Sequence, residues 1–218
     1  MSIRGTRLLP EARFAGSNLI AIWYIGHCSL VQLDPAYIDP VKEVLRAAGQ
    51  SAALSGDLLQ AAWGAERIQA RDWGLAHYLY PADLPDVSPA RAFTLRQLTV
   101  DDAAAMGALH EANTPEDVDE GYVEVTHPIA FGCFAGDQLV AAASGYERTG
   151  FLDVGVLTHP AFRGQGLGTA VVGALCHWSI AQDLIAQYRC DAKNLASQRV
   201  AQALNFTLYF RQESVSLH

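Results

Sequence analysis

The run from Val154 to Gly168, with the apolar segment that follows it, constrains the fold of this 218-residue chain more than any other stretch. Its β-branched start predicts a strand, its proline a turn, and its closely spaced glycines a loop leading into a helix over residues 167–182. Glycines let backbone N–H groups approach a ligand, and a helix N-terminus adds free donors and the positive dipole end. Arg163 adds a cation whose planar fork suits phosphate oxygens. The stretch therefore predicts an α/β element that binds an anion such as a pyrophosphate.

Known phosphate-binding loops narrow this interpretation. A P-loop ends in Gly-Lys-Ser/Thr, and no lysine follows these glycines. A dinucleotide-binding loop has the spacing Gly-x-Gly-x-x-Gly, with an acidic residue about 20 positions further on. Here the spacing is Gly-x-Gly-x-Gly, and Asp183 lies at the predicted helix end. A glycine-rich turn without a ligand is the other alternative, and the arginine, the proline and the flanking strand and helix make it the weaker one.

Composition excludes several classes of protein. Half of the residues are hydrophobic and 17% are charged, which indicates a folded core rather than disorder. A net charge of −8 argues against nucleic acid as the main partner. The most apolar run, residues 19–33, is too short and too polar to span a bilayer, and the N-terminus lacks a signal-peptide pattern. We therefore expect a cytoplasmic protein without a membrane partner.

The cysteines give no indication of a metal site. They are scattered, with no C-x-x-C pair and no histidine at ligand spacing, so we expect no metal and small buried thiols in a reducing compartment. The four positions are Cys28, Cys133, Cys176 and Cys190.

A proline-rich segment over residues 81–89 is the one convincing linker, and it predicts an accessory domain over 1–90 and a second domain over 91–218. The first domain is expected to follow the order ββααβ, with strands over 18–25 and 28–33, helices over 40–48 and 55–63, and a strand over 73–80. The second is expected to follow βα(α)βββαβαβ, with strands over 93–98, 129–135, 139–147, 151–158, 185–191 and 206–213.

The motif Arg163-x-x-Gly166-x-Gly168, after a strand and a proline, resembles the acetyl-CoA pyrophosphate loop of the GCN5-related N-acetyltransferase (GNAT) superfamily. The predicted order of elements over residues 91–215 is also the GNAT order. The resemblance implies a mixed α/β (α+β) sheet with splayed central strands, and a bulge in the strand before the loop. The preceding ββααβ domain is then either a degenerate GNAT half or a dimerisation element, so a homodimer is one alternative.

The resemblance also implies a set of coenzyme A contacts. The pantetheine arm would pair with the backbone of the strand, and Asn194 and Ser197 match the family's Asn-x-x-Ser/Ala segment, where Ser197 could protonate the departing thiolate. A simple helix cap is the other role for these two residues. The predicted cofactor-binding residues are Val156, Leu157, Thr158, Arg163, Gly164, Gln165, Gly166, Leu167, Gly168, Thr169, Asn194 and Ser197.

The catalytic residues are less well defined. Many family members carry a tyrosine four residues after the Ser/Ala, where this chain has Ala201, and Tyr209 in the last strand is a substitute. An amine must lose a proton on acylation, and Asp153 is the first candidate to accept it because it interrupts an apolar strand. The other candidates are Glu147, Glu111 and Glu124.

The resemblance implies an N-acetyltransferase that moves an acetyl group from acetyl-CoA to a primary amine of a small molecule or peptide. A set of acidic residues lies in the segment that forms part of the acceptor site in GNAT proteins. Its negative charge would attract a cationic amine. The alternative is that the segment is an ordinary solvated loop. This set comprises Glu111, Glu116, Asp117, Asp119 and Glu120. Because the usual tyrosine is absent, a non-catalytic CoA-binding sensor or subunit is the alternative function.

Overall fold

A computed structural model describes residues 5–49, 52–78, 84–148 and 150–218 of the chain. The chain forms two compact units, one of residues 1–76, 191–193 and 208–218, and the other of residues 77–190 and 194–207. This division differs from the expected boundary near residue 90, because the end of the chain returns to the N-terminal unit. The expected strand end at 79–80 and the first linker residues, 81–83, lie outside the described residues.

The expected helices and strands are present in the described residues, and the mixed α/β fold class is confirmed. In the N-terminal unit, the elements are β1 (Gly5–Pro10), β2 (Leu19–Ile25), β3 (Cys28–Leu33), α1 (Ile38–Ala48), α2 (Gly56–Trp63) and β4 (Ile68–Tyr78). They are followed by β5 (Thr94–Gln97), α3 (Ala103–Glu111), α4 (Pro115–Gly121), β6 (Ile129–Ala135), β7 (Gln138–Arg148), β8 (Phe151–Thr158), α5 (Leu167–Ala181), β9 (Ile185–Asp191), α6 (Leu195–Ala203) and β10 (Thr207–Leu217).

The sheet of the N-terminal unit has the order β1-β3-β2-β10-β4, with β1 parallel to β3 and β2 antiparallel to both β3 and β10. Three of its strands differ from the sequence expectation, and one of these is β4, which begins at Ile68 instead of residue 73. β1 was not predicted, because a six-residue edge strand that ends in proline carries little periodic signal. β10 extends to Leu217, and its buried Val215 and Leu217 pack in the core of this unit.

The sheet of the C-terminal unit has the order β9-β8-β7-β6-β5, antiparallel except for the parallel pair β8 and β9. Side chains alternate across β8, as period 2 requires. Leu152 and Val154 join the core that includes the buried side of α5, whereas Leu157 joins the core that includes Met106 of α3. The sheet therefore has an α5 face and an α3/α4 face, and residue parity on β8 decides which side chain lies on which.

No helix within the described ranges is long and apolar enough to cross a membrane.

Candidate active site

The two parallel strands of the C-terminal unit separate partway along their length. β8 pairs with β9 only from Phe151–Ile185 to Val154–Tyr188, although β8 continues to Thr158. On its other side, β8 stays paired with β7 as far as Thr158. Backbone groups of residues 155–158 that point away from β7 consequently have no strand partner in the described part of the chain. An extended ligand with amide groups can pair with that edge as another strand would.

The splay predicted from the resemblance is thus present, and the implied bulge is not. The register between β7 and β8 runs without interruption over eight pairs, from Arg148–Phe151 to Ala141–Thr158. The register shift between β6 and β7 falls where the consecutive residues Cys133 and Phe134 pair with Ala141 and Leu139, so the extra residue is Val140 of β7. The open edge therefore arises because β9 leaves β8, and an extra residue in β8 plays no part.

The glycine loop follows β8 and ends in an uncapped helix. Gly164 and Gly166 have φ values of +79° and +76°, which glycine adopts without steric cost. Gly166 is the N-cap of α5 and offers no side-chain hydrogen bond, and the helix's first backbone bond runs from Ala170 N to Gly166 O at 3.0 Å. The N–H groups of residues 167–169 precede that bond and have no intrahelical acceptor. They form a donor set suited to a phosphate.

Arg163 lies at the loop entrance, as expected, but its guanidinium is engaged by the protein. Its Nη2 donates to Asp117 Oδ2 at 2.9 Å and to Asn113 Oδ1 at 2.8 Å, and its Nε donates to the carbonyl of Thr158 at 3.2 Å. The ion pair is about half-exposed on both sides. Arg163 thus ties the loop to the start of α4, and a phosphate would have to share this side chain with Asp117.

The Asn194 side chain is the N-cap of α6. Its Oδ1 accepts from Ser197 N at 3.0 Å, and its Nδ2 donates to Glu120 Oε2 at 3.3 Å. The capping role considered from the sequence is therefore present, and it leaves the Ser197 hydroxyl outside the cap. Asn194 also joins α6 to the acidic α4.

Tyr188, which the sequence analysis did not single out, stands at the point where β8 and β9 separate. Its side chain is 1% exposed, and its hydroxyl has no hydrogen-bond partner among the described residues. Burial raises the pKa of Tyr188 to about 12, and the Ser197 hydroxyl, which is near the phenol but outside hydrogen-bond geometry, opposes that shift. Its alternation with charged residues on β9 was the available signal. A buried hydroxyl without a partner costs about 1–3 kcal/mol, and a polar group of a ligand could satisfy it.

Asp153 lies on the α3/α4 face of β8, where Arg189 of β9 holds its carboxylate. Nε of Arg189 donates to Oδ1 at 3.1 Å, and a second guanidinium nitrogen bonds to Oδ2. The carboxylate side chain is only 14% exposed. The predicted base is therefore already engaged in a two-point ion pair with a guanidinium.

The remaining expected catalytic and acceptor-site residues are distributed over both units. Tyr209 lies on β10 in the N-terminal unit and is 53% exposed. Within the acidic set, Asp117 pairs with Arg163 and Glu120 with Asn194, so part of its charge is committed to internal contacts. The Arg163 guanidinium holds the pKa of the Asp117 carboxyl below its usual range.

Two of the four cysteines are buried thiols whose environment disfavours the thiolate. All four are free thiols, and Cys133 and Cys176 are buried. Burial raises the pKa of the Cys176 thiol and, less strongly, that of Cys133, which keeps both in the un-ionised form. Among the described residues, no group of three or more His, Cys, Asp or Glu side chains is placed to hold a metal ion.

The splayed strands and the uncapped helix beyond them define a mixed α/β domain of the GNAT type. A family model described as GNAT acetyltransferase matches residues 126–212, which include β8, the glycine loop and α6. The matched segment lies mainly in the C-terminal unit, whose fold is therefore the GNAT fold.

Solved structures show the same fold at low identity. A GNAT-family acetyltransferase from Colwellia psychrerythraea has a TM-score of 0.59 at 18% identity, over 89% of this chain and 81% of that one. A tandem GNAT protein from the clavulanic acid biosynthesis pathway has a TM-score of 0.52 at 15% identity, over 94% of this chain and 85% of that one.

A GNAT-family protein from Novosphingobium aromaticivorans is similar over a smaller part of its own length. The match has a TM-score of 0.53 at 20% identity and covers 68% of this chain and 65% of that one, slightly under two thirds. No curated protein matches the sequence at a significant level.

Proposed function

We propose that the protein is an N-acetyltransferase that transfers an acetyl group from acetyl-CoA to a primary amine by direct attack. The observation that carries this proposal is the continuity between the unpaired edge of β8 and the uncapped start of α5. A phosphate-ended ligand with an amide-containing arm would use both at once. Neither feature alone would distinguish acetyl-CoA from a simple anion.

The residues present fit that cofactor. The backbone N–H groups from Gly164 to Thr169 would receive the pyrophosphate, and the edge from Val156 to Thr158 would pair with the pantetheine amides. The Tyr188 hydroxyl and the neighbouring Ser197 side chain lie beside the point where β8 and β9 separate, and they would face the thioester end of the bound cofactor. Acetyl-CoA would supply a thioester, so that a nitrogen–carbon bond forms, the carbon–sulfur bond breaks, and one proton passes from nitrogen to a base while the sulfur acquires another.

The chain's own residues would bind, orient and handle those protons. A backbone N–H near Leu157 on the open edge would donate to the carbonyl oxygen as negative charge develops there. Ser197 would donate to the departing sulfur, and Tyr209 stays a proposed substitute for the tyrosine that Ala201 replaces. Asp153 stays a proposed proton acceptor, although its carboxylate is paired with Arg189.

A non-catalytic CoA-binding protein is the second candidate, favoured by one observation. Ala201 is buried and apolar where many family members carry a tyrosine, so no acid stands at that position. Two measurements separate the candidates, calorimetric binding of CoA and thiol release from acetyl-CoA across a panel of primary amines. Binding with amine-dependent thiol release supports the enzyme, binding without release supports the second candidate, and no binding contradicts both.

Three further features are proposals of the same kind. The N-terminal unit would be a degenerate GNAT half or a dimerisation element, without a second cofactor site, since it has no Arg-x-x-Gly-x-Gly motif. The acceptor would be a small molecule or peptide amine, with neither nucleic acid nor a membrane as partner. The protein would act in the cytoplasm.

A further inference from the structure

The α3/α4 face of the sheet carries a polar and aromatic cluster where β8 leaves β9. Ser144 of β7 is directly opposite Gly155 of β8, and Tyr146 is directly opposite Asp153. Side chains of directly paired residues, and of residues two apart on one strand, share a face. These positions therefore lie together on the α3/α4 face, and Gly155 is the first residue of β8 beyond its last pair with β9.

His127, which precedes β6, is bound over this cluster. Its Nδ1 is 2.8 Å from Ser144 Oγ, and the same hydroxyl accepts from Glu124 N at 3.1 Å. The bond to Ser144 places the imidazole one strand away from the beginning of the splay, and neighbouring strands are about 4.8 Å apart. Only one ring nitrogen is used in this contact. The other nitrogen is available to a ligand in the appropriate tautomer.

Two tyrosines flank the imidazole and leave much of their surface open. The Tyr122 ring centroid is 4.9 Å from that of His127 and the Tyr146 centroid is 5.8 Å from it, and these tyrosines are 60% and 44% exposed. Tyr122 follows α4 directly, with a left-handed φ of +43°. Gly155 allows this approach, because a Cβ there would collide with the carbonyl of Gly121.

The two faces of the sheet offer different groups at the same gap. The buried Tyr188 belongs to the core on the α5 face, and Ser197 is its neighbour there. His127, Tyr122 and Tyr146 approach from the α3/α4 face. A gap between strands is open to both faces, so a donor bound along the α5 side and an acceptor bound on the opposite side would meet at the splay.

We propose that Tyr122, His127 and Tyr146 form the acceptor pocket for a primary amine carried on an apolar or aromatic group, and that His127 accepts its proton. The proposal rests on the proposed acyltransferase function. The exposed tyrosine rings would pack against the apolar part of the acceptor. The second ring nitrogen of His127 would take the proton that leaves the amine as the nitrogen–carbon bond forms, and would release it to water afterwards.

The charges around His127 favour this role. Burial lowers the pKa of His127, and the negative charge of Glu124 partly opposes the shift. Tyr122, Tyr146 and the Ser144 hydroxyl are the other titratable or polar groups facing it, and the Asp153–Arg189 pair lies opposite Tyr146. A lowered pKa leaves the imidazole neutral at neutral pH, and the activity that depends on it is lost as the pH falls through that lowered value.

The test compares the wild type with His127→Gln, using acetyl-CoA and either 2-phenylethylamine or putrescine. Glutamine can keep a hydrogen bond to Ser144 but cannot act as a base at these pH values. We expect unchanged CoA binding by calorimetry and a loss in kcat of about 100-fold or more. The wild-type to variant ratio of kcat/KM should decrease as the pH falls through the His127 pKa, and this ratio cancels the titration of the amine itself. We also expect phenylethylamine to be the better acceptor, and Tyr146→Ala to raise its KM.

His177→Gln is the matched control, because His177 is an exposed histidine on α5. It should behave as the wild type in every assay. A His127→Gln enzyme that keeps kcat within threefold and an unchanged pH profile would overturn the proposal while leaving acyl transfer intact, and so would a preference for putrescine. A wild type that binds CoA but releases no thiol with either amine would instead refute the proposed function, and this inference with it.

Discussion

The helices α2 and α5 begin in opposite ways, although each starts at a glycine-containing turn of its own unit. At α2, Ser55 Oγ accepts from Leu58 N at 3.1 Å, and the buried Glu213 carboxylate accepts from Gly56 N at 3.0 Å. At α5, the N-cap is Gly166, which supplies no side-chain acceptor. The chain thus provides its own anion at one helix start and none at the other.

The difference extends to the surrounding polar groups. Glu213 is 0% exposed and also accepts from Tyr24 Oη at 2.5 Å and from the guanidinium of Arg71. Burial and Glu213 raise the pKa of Tyr24, which keeps that phenol a donor. The Tyr188 hydroxyl of the C-terminal unit, by contrast, has no partner among the described residues. A closed polar network stabilises a fold, whereas unmatched groups indicate where a ligand belongs.

The largest effect should be on stability, and it should come from disrupting the hydrogen-bond network around Glu213. We expect Glu213→Gln to lower the free energy of unfolding by about 3 kcal/mol, because Arg71 and the backbone N–H of Gly56 lose a buried acceptor charge. Urea unfolding measures this. Glu43→Gln, at an exposed position on α1, should stay within about 0.5 kcal/mol of the wild type. Equal stability of the two variants would show that the Glu213 charge adds nothing to the fold.

The next largest effect should be on CoA affinity, and it should come from placing a carboxylate at the uncapped start of α5. Gly166→Asp places a carboxylate among the donors of α5, and we expect the Kd for CoA to rise about 10- to 100-fold, or about 1.4 to 2.7 kcal/mol. Gly166→Asn has nearly the same size and also tolerates a positive φ. It controls for backbone strain and bulk, so calorimetry on both variants isolates the charge. Equal weakening by Asn and Asp would argue against an anion at this site.

Much of this difference between the starts of α2 and α5 could be predicted from the sequence, because it depends on local signals. Glycine and proline punctuation together with strand and helix periodicity are local signals, and they predicted β8, the loop and α5 nearly to the residue. Asn194 was likewise identified as a possible helix cap from residue type and position. These features depend on neighbours only a few positions away.

Partners distant along the chain could not be predicted in this way. Glu213 meets Tyr24 across 189 positions, and Arg163 meets Asp117 across 46. Asp153 was ranked first as a base because it interrupts an apolar strand, and nothing local indicated Arg189 on the adjacent strand. The position of His127 over the splay depends on the pairing of β7 with β8, which no local pattern indicated. The partners of these charged and basic side chains are set by tertiary contacts, so local sequence patterns do not predict them.

A smaller effect should follow from removing the unmatched hydroxyl. We expect Tyr188→Phe to raise the free energy of unfolding by about 1 kcal/mol without ligand. The buried hydroxyl loses its hydrogen bonds to water on folding and gains none in the protein. Tyr37→Phe is the matched comparison, since the Tyr37 hydroxyl donates to Asn18 Oδ1 at 3.1 Å and its removal should be mildly destabilising. Thermal unfolding of the two variants should give shifts of opposite sign. Destabilisation by Tyr188→Phe would mean that its hydroxyl is satisfied in solution.

The smallest effect concerns Arg163, the one cation of the loop, which is divided between the open site and the protein. Asp117→Asn would release its guanidinium toward a bound phosphate, and because the pair is about half-exposed, the gain is limited to about 1 kcal/mol, or fivefold in the Kd for CoA. Arg163 lowers the pKa of Asp117, so the pair persists at neutral pH and is lost as the pH falls through that lowered value. The difference in the Kd for CoA between the wild type and Asp117→Asn should therefore become smaller at acidic pH. Weaker binding by Asp117→Asn at neutral pH would show that the pair instead positions the loop for its ligand.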